Sequence, residues 1–222
     1  SDRVAAAVAS GLEVSLDLMC GIPFQTPESW HKSLARAVEL GVGHVSCYPL
    51  MIEAGTPLER MCEAGEVPWP SDDTEADDME AALNVLESAG YSRYEVASYA
   101  QPGKRCQHNI AYWTGVPYLG LGVSAASMLR LPEYEALRAV VSSLPAPSDG
   151  SWRFRLTSSD DVRVYARARS LAELSFEVEQ MTETEAVAED LMLAARMTDG
   201  IPAALQARAR HVLGEDRVGE CF

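Results

Sequence analysis

Between Glu13 and Met19 the run EVSLDLM sets Val14, Leu16 and Leu18 against Ser15, Asp17 and Met19. That two-residue alternation is the mark of a strand with one apolar face, and it puts Asp17 near the strand's C-terminal end. A Gly-Ile-Pro turn follows. Thr26 then stands as N-cap with Pro27 at the first helical position, and Trp30, Leu34, Ala37 and Val38 recur at helical spacing. Gly41 predicts the helix end. The run from His44 to Leu50 is short and apolar, β-branched at Val45 and bounded by glycines and Pro49, which predicts a second strand with Tyr48 at its C-terminal end. Strand, helix and strand in this order form the βαβ unit of a parallel sheet, whose ligands collect at the carboxyl ends of the strands.

The pattern continues with a short helix over 57–64, a break at GEVPWP, and a longer helix capped by Ser71. The first turns of that helix carry Asp72, Asp73, Glu75, Asp77 and Asp78, which suit the positive end of the helix dipole and read as a solvated face. Its buried side is expected at Ala76, Met79, Leu83 and Leu86. Gly90 ends it, and 93–100 reads as a third strand. From Gln101 to Leu129 the chain is rich in Gly, Pro and aromatics without a clean period, the composition of a functional loop. SSLPAPSDGS, 142–151, has the composition of a linker. Beyond it Trp152, Phe154 and Leu156 alternate with Arg153 and Arg155 as a strand. Thr182 and Glu185 form a capping box for a helix with Val187, Leu191 and Ala194 on one side, and Gly200-Ile-Pro leads into a last helix with Leu205, Ala209 and Val212. Residues 1–11 read as the tail of a helix, and the chain opens on Ser1, as a fragment would. The expected organisation is α/β: a first domain over 1–141, a linker over 142–151, and a small, mostly helical domain over 152–222.

Composition narrows the function. A chain of 222 residues that is 47% hydrophobic can bury a sizeable core. A net charge of −15 disfavours a phosphate-backbone partner, so nucleic acid is set aside. No apolar run approaches membrane-spanning length and no signal-peptide pattern opens the chain, so a cytoplasmic location is expected. Cys20, Cys47, Cys62, Cys106 and Cys221 are scattered singly, which fits reduced, mostly buried thiols better than a disulfide framework or a metal site.

Four segments together resemble one known family. DLMCGIPFQTPESW (17–30), HVSCYPLMIEAGTPL (44–58), YSRYEVASYAQPGKRCQHNIAYW (91–113) and YLGLGVSAASML (118–129) occur in the order of the radical-SAM family of oxygen-independent coproporphyrinogen III oxidase-like proteins, HemN/HemW. The stretch MTETEAVAEDLMLAARMTDGI is similar to that family's C-terminal helical region. The resemblance implies the C-terminal part of a partial (β/α)6 radical-SAM barrel, plus a small, mostly helical C-terminal domain. It also implies that a 4Fe-4S cluster, held by a CxxxCxxC loop, reduces S-adenosylmethionine to a 5′-deoxyadenosyl radical. That loop and the glycine-rich strand end after it do not occur in this sequence. By family order the chain begins around the fifth barrel strand, and alone it is expected neither to bind the cluster nor to turn over.

Carried over residue by residue, the resemblance assigns Asp17, Tyr48, Met51 and Ala126 to S-adenosylmethionine. A carboxylate at Asp17 accepts hydrogen bonds from ribose hydroxyls or an ammonium group; a strand-end aspartate capping a turn is the plain alternative. His108, Asn109 and Tyr112, in the HNxxYW run, resemble the haem-binding motif of HemW. His108 is there the expected ligand to haem iron, with Tyr112 and Trp113 packing on the macrocycle; a hydrogen-bonded loop histidine is the alternative. His31, His44 and His211 lack such context and are expected on surfaces or helix faces. GVSAASM, 122–128, offers close backbone approach to a ligand and is nearer HemN, whereas HNIAYW is the longer match and points to HemW. The expected function is that of a HemW-like haem chaperone with a haem-accepting protein partner. Coproporphyrinogen III oxidase, acting by oxidative decarboxylation of propionates, is the alternative. A non-catalytic acidic module that binds through an exposed sheet edge is the third reading.

Overall fold

The computed structural model describes residues 2–215, and the chain divides into two compact units: residues 1–110 with 197–199, and residues 111–196 with 200–222. Cys221 lies outside the described residues.

The first unit opens with helix α1 (Asp2–Ala9) and is built on β1 (Ser15–Cys20), α2 (Pro27–Glu39) and β2 (His44–Pro49). β1 and β2 run parallel, Ser15 beside His44 through to Cys20 beside Pro49. Thr26 caps α2 as expected, in a capping box with Ser29, and Gly41 takes the left-handed conformation (φ 67°) that reverses the chain after the helix. α3 (Pro57–Glu63) and α4 (Asp72–Ser88) follow. The expected strand at 93–100 is instead a hairpin of two short strands, β3 (Ser92–Arg93) and β4 (Ser98–Ala100), with the sheet order β1-β2-β4-β3. β4 pairs antiparallel with β2, because the chain turns back through 94–97 within one hairpin and has no crossover helix to reverse it. α5 (Gln107–Trp113) lies in the region expected to be irregular. The division between the units falls within it.

The apolar face of this sheet packs on α2 and α4. Trp30, Leu34 and Ala37 meet Val45, Cys47 and Cys20, with Ala82, Leu86, Tyr91 and Tyr99 completing the core. The buried line of α4 runs Asp78, Ala82 and Leu86, spaced by four, with Met79 and Leu83 packed beside it. Ala76, expected inside, is exposed, and Asp78, expected in solvent, is buried. The reason is Trp30: its indole Nε1–H donates to the Asp78 carbonyl at 2.8 Å and draws that side of α4 onto α2. Burial pushes the Asp78 carboxyl up, opposed by a hydrogen bond from the Gly21 N–H.

The second unit holds an antiparallel sheet of β5 (Ala126–Arg130), β6 (Ser151–Ser158) and β7 (Phe176–Thr182), in that spatial order. α6 (Leu131–Arg138) covers one face, where Tyr134 stacks on Phe154 with ring centroids 3.8 Å apart, beside Leu129, Val141, Leu144 and Leu156. α7 (Val162–Arg167) and a 3₁₀ turn at Leu171–Glu173 lead to β7, which the sequence pattern did not predict. α8 (Glu183–Ala194) begins at the expected Thr182–Glu185 capping box, and α9 (Ala203–Leu213) packs Ala209 on Val187. The 142–151 stretch joins α6 to β6 inside this unit, because β5 takes β6 as its ladder partner, and Leu144 within it is buried.

Two stability predictions follow from this packing. Trp30→Ala removes the largest buried side chain of the first unit together with the hydrogen bond to Asp78, and is expected to cost about 3–5 kcal/mol, read by urea denaturation; a loss below about 1 kcal/mol contradicts the packing described. Thr182→Ala is expected to cost about 1 kcal/mol, and unchanged stability would mean that the capping box contributes nothing to the start of α8.

Candidate functional site

Because side chains alternate across a strand, the core face of the first sheet leaves an opposite face made of Ser15, Asp17 and Met19 from β1, His44, Ser46 and Tyr48 from β2, and Ser98 and Ala100 from β4. This face is predominantly polar. Asp17 lies level with Ser46, and Tyr48 stands two residues further along the same face, level with Met19. Two residues of strand span about 7 Å, so the carboxylate and the phenol ring share one short stretch of surface. Asp17 is exposed and Tyr48 half-buried. Asp17 is the third of six residues in β1, and so sits mid-strand rather than at the carboxyl end. Met51 lies past the end of β2 and is 77% exposed. Ala126 is exposed at the first position of β5, in the second unit. The chain passes close to it at Gly120, where any β-carbon would fall 2.0 Å from the Ala126 carbonyl oxygen; only glycine fits there.

Deeper on the polar face lies a hydrogen-bonded group that the sequence reading did not single out. His44, expected on a surface, is only 5% exposed. Its Nδ1 is 2.7 Å from Ser15 Oγ and its Nε2 is 2.8 Å from the Tyr94 hydroxyl. Tyr94 is fully buried, and burial pushes its phenol up from its ordinary value. Glu95, likewise buried, accepts from the Ala97 N–H at 3.1 Å. Burial pushes the His44 imidazole down from its ordinary value, against the opposing charges of Asp17 and Glu95. The available signal was the matched alternation in the two strands. His44, Ser46 and Tyr48 share one parity, as do Ser15 and Asp17, so two neighbouring strands each present a polar side.

On α5, His108 is exposed, Tyr112 one turn later is 37% exposed, and Asn109 between them is half-buried. His31 and His211 are exposed on helices, as expected. Cys20, Cys47 and Cys62 are buried as free thiols; desolvation pushes Cys20 up to about 11 and Cys47 up to about 12. Among the described residues no group of three or more His, Cys, Asp or Glu is placed to hold a metal ion. Desolvation holds Cys20 and Cys47 in the protonated form, which does not suit cluster ligands, and no residue described here is assigned to a 4Fe-4S cluster. Among the same residues no helix is long and apolar enough to cross a membrane.

No family model matches the chain. Its curated relatives include heme chaperone HemW of Synechocystis sp., 40% identical over 115 residues, which span 52% of this chain and 28% of that protein. Heme chaperone HemW of Escherichia coli is 38% identical over 146 residues, 64% of this chain and 37% of that protein. The solved structure of coproporphyrinogen III oxidase (HemN) from Escherichia coli, described as a radical SAM enzyme, matches with a TM-score of 0.60 at 18% identity, over 88% of this chain and 44% of that one. These likenesses support a C-terminal portion of the HemN/HemW radical-SAM family, nearer the HemW branch. It spans roughly a third of the length of these curated HemW relatives. The HemN match shows a mixed α/β fold like that of the matched part of HemN, consistent with part of a barrel plus a helical domain. In HemN/HemW terms, the polar sheet face carries Asp17 and Tyr48, and α5 carries the HNxxYW run.

The depressed His44 value makes a pH prediction. A base that is harder to protonate when folded adds stability above its unfolded value, near 6.5, and that stability is lost as pH falls through and below it. Between pH 7.5 and 5.5 the wild type is therefore expected to lose more thermal stability than His44→Gln. Parallel melting profiles for the two proteins would show that His44 is not held neutral by the fold.

Proposed function

We propose that this chain carries the haem-contacting helix and part of the S-adenosylmethionine-contacting surface of a HemW-like haem chaperone, with haem as its cargo. The observation that carries the reading is α5. The HNIAYW run folds as a helix in which His108 and Tyr112 are four residues apart and both reach solvent. A neutral imidazole at His108 offers its lone pair to haem iron, and the Tyr112 ring can lie against a flat macrocycle. Relatives about 40% identical that are named heme chaperone HemW support the reading.

Asp17, Tyr48, Met51 and Ala126 are proposed to contact S-adenosylmethionine. An exposed carboxylate beside an aromatic ring suits an adenosyl group: Asp17 accepts from ribose hydroxyls, and Tyr48 offers a π-face. When bound with a 4Fe-4S cluster, S-adenosylmethionine supplies radical chemistry; this chain's part is to hold and orient the nucleoside. A haem-accepting protein is the proposed partner. The three buried free thiols suit a reducing compartment such as the cytoplasm.

GVSAASM, which is nearer HemN in sequence, favours a second reading, an oxygen-independent coproporphyrinogen III oxidase. The full-length parent protein, reconstituted with cluster, separates the two. Haem titration followed at the Soret band is expected to show tight binding that falls at least tenfold in His108→Ala, with no conversion of coproporphyrinogen. Conversion to protoporphyrinogen without stable haem binding would establish the oxidase instead. In the same protein Asp17→Ala is expected to weaken S-adenosylmethionine binding roughly 10- to 100-fold, the loss of one or two charge-assisted hydrogen bonds; unchanged affinity removes Asp17 from the site.

A further inference from the structure

Within the second unit the end of α5, the segment through Tyr118, β5, β6 and α8 surround a cavity of about 210 Å³. Its walls are the rings of Tyr112, Trp113 and Tyr118 and the side chains of Met128 and Leu193, with Arg153 lining it from β6. These walls are held in place by contacts of their own. Tyr118 exchanges both backbone hydrogen bonds with Met128, at 2.8 and 2.9 Å, and its ring meets that of Tyr112 edge-on with centroids 4.6 Å apart. Gly115, just past α5, is left-handed (φ 66°), and a β-carbon there would fall 2.8 Å from Asp190 Oδ1, so the chain beside Trp113 lies close against α8. The Arg196 guanidinium lies over the Trp113 ring, 4.4 Å from its centre, which fixes the plane of the indole.

Two donors on the residues of this wall have no acceptor among the described residues: the Trp113 Nε1–H and the Arg153 Nε–H. Both atoms are buried, and Arg153 as a whole is only 4% exposed. A donor shut away from water without an acceptor is costly, and native structures leave few of them. The remaining arms of Arg153 are engaged by Glu189 and Asp190, and Arg155 is paired with Glu189 and Glu179. Two guanidiniums thus already face three carboxylates, and a further anion would be repelled by Glu189, which also lines the cavity. The acceptor that suits these donors is therefore uncharged. Size sets the rest: an apolar cavity of about 150 Å³ holds one benzene ring, and aromatic walls favour a flat, apolar body. We propose that this cavity is a binding site for a single planar ring bearing an uncharged acceptor such as an amide or carbonyl oxygen. The two lone pairs of that oxygen meet the Trp113 and Arg153 donors, and the ring packs against Tyr112 and Tyr118. The inference does not depend on haem being the cargo.

Three probes titrated into the full-length parent protein test it: benzamide, benzoate, which carries a charged acceptor on the same ring, and toluene, which carries none. Binding is followed by calorimetry and at the indole N–H resonance of Trp113, assigned by its loss in Trp113→Phe. Benzamide is expected to saturate with a Kd of about 1 mM or tighter and to move that resonance downfield, as a new hydrogen bond does. Toluene and benzoate are each expected to bind at least about tenfold more weakly, the first for want of a hydrogen bond and the second through repulsion. Leu193→Phe, which fills the cavity and touches neither donor, is expected to abolish benzamide binding, and Trp113→Phe to weaken it about tenfold. Absence of saturable benzamide binding up to about 10 mM overturns the site, and so does unchanged affinity in Leu193→Phe, which puts the probe elsewhere. Toluene binding as tightly as benzamide overturns the role of the donors, and benzoate binding more tightly overturns the uncharged occupant. Should Leu193→Phe fail to fold, Trp113→Phe decides: wild-type benzamide affinity in that variant overturns the proposal.

Discussion

The parallel, in-register pairing of β1 with β2 decides which side chains of the first unit meet the core and which stand on the opposite, polar face. Ser15 lies against His44 and every later pair keeps step. Val45, Cys47, Leu16 and Leu18 are thereby sent to the helices, and Asp17, Ser46 and Tyr48 to the other side. A slip of one residue in β1 would put Asp17 into the apolar core and Leu16 and Leu18 onto the polar face, so burial of the core enforces the composition of that face. The polar face is in this sense the reverse side of the packing that Trp30, Leu34 and Leu86 complete.

Depth separates two kinds of residue on that polar face. β2 is an inner strand, flanked by β1 and β4, whereas β1 is the outer strand among the described residues. His44 and Ser46 are consequently buried, and Asp17, level with Ser46, stays open to solvent. A buried polar group is tolerated only when hydrogen-bonded. His44 meets that condition through Ser15 and Tyr94. The carboxylate stays in solvent, while the imidazole is enclosed and hydrogen-bonded on both ring nitrogens.

The second unit solves a similar problem with charge. Its sheet is covered on both sides, by α6 against Phe154 and Leu156 and by α8 against Arg153 and Arg155. Arg153 is almost fully buried, between Glu189 at 2.8 Å and Asp190 at 2.6 Å. An arginine can lie in such a place only because both carboxylates come with α8. Removing both would leave a buried charge unpaired, a far larger penalty than the net contribution of the pairs to stability.

The sequence by itself determined the elements whose causes are local. The Thr26 and Thr182 caps, the Gly41 stop, the alternation in β1 and the apolar stripes of α2, α8 and α9 each depend on neighbours a few residues away, and each was legible. So were the four family segments, because they are linear. What the chain alone left undetermined depends on partners far along it. Asp78 is buried because Trp30, 48 residues earlier, hydrogen-bonds its carbonyl. The strand expected at 93–100 is a hairpin because β2 was already in place to receive β4 on its far side. Arg153 looks like the solvent side of an alternating strand until α8 returns to cover it. His44, taken for a surface histidine, is buried because Tyr94, 50 residues on, packs over it and meets its Nε2. Periodicity reports which face of an element is apolar, but only the folded arrangement decides what stands opposite the other face, and the site is made there.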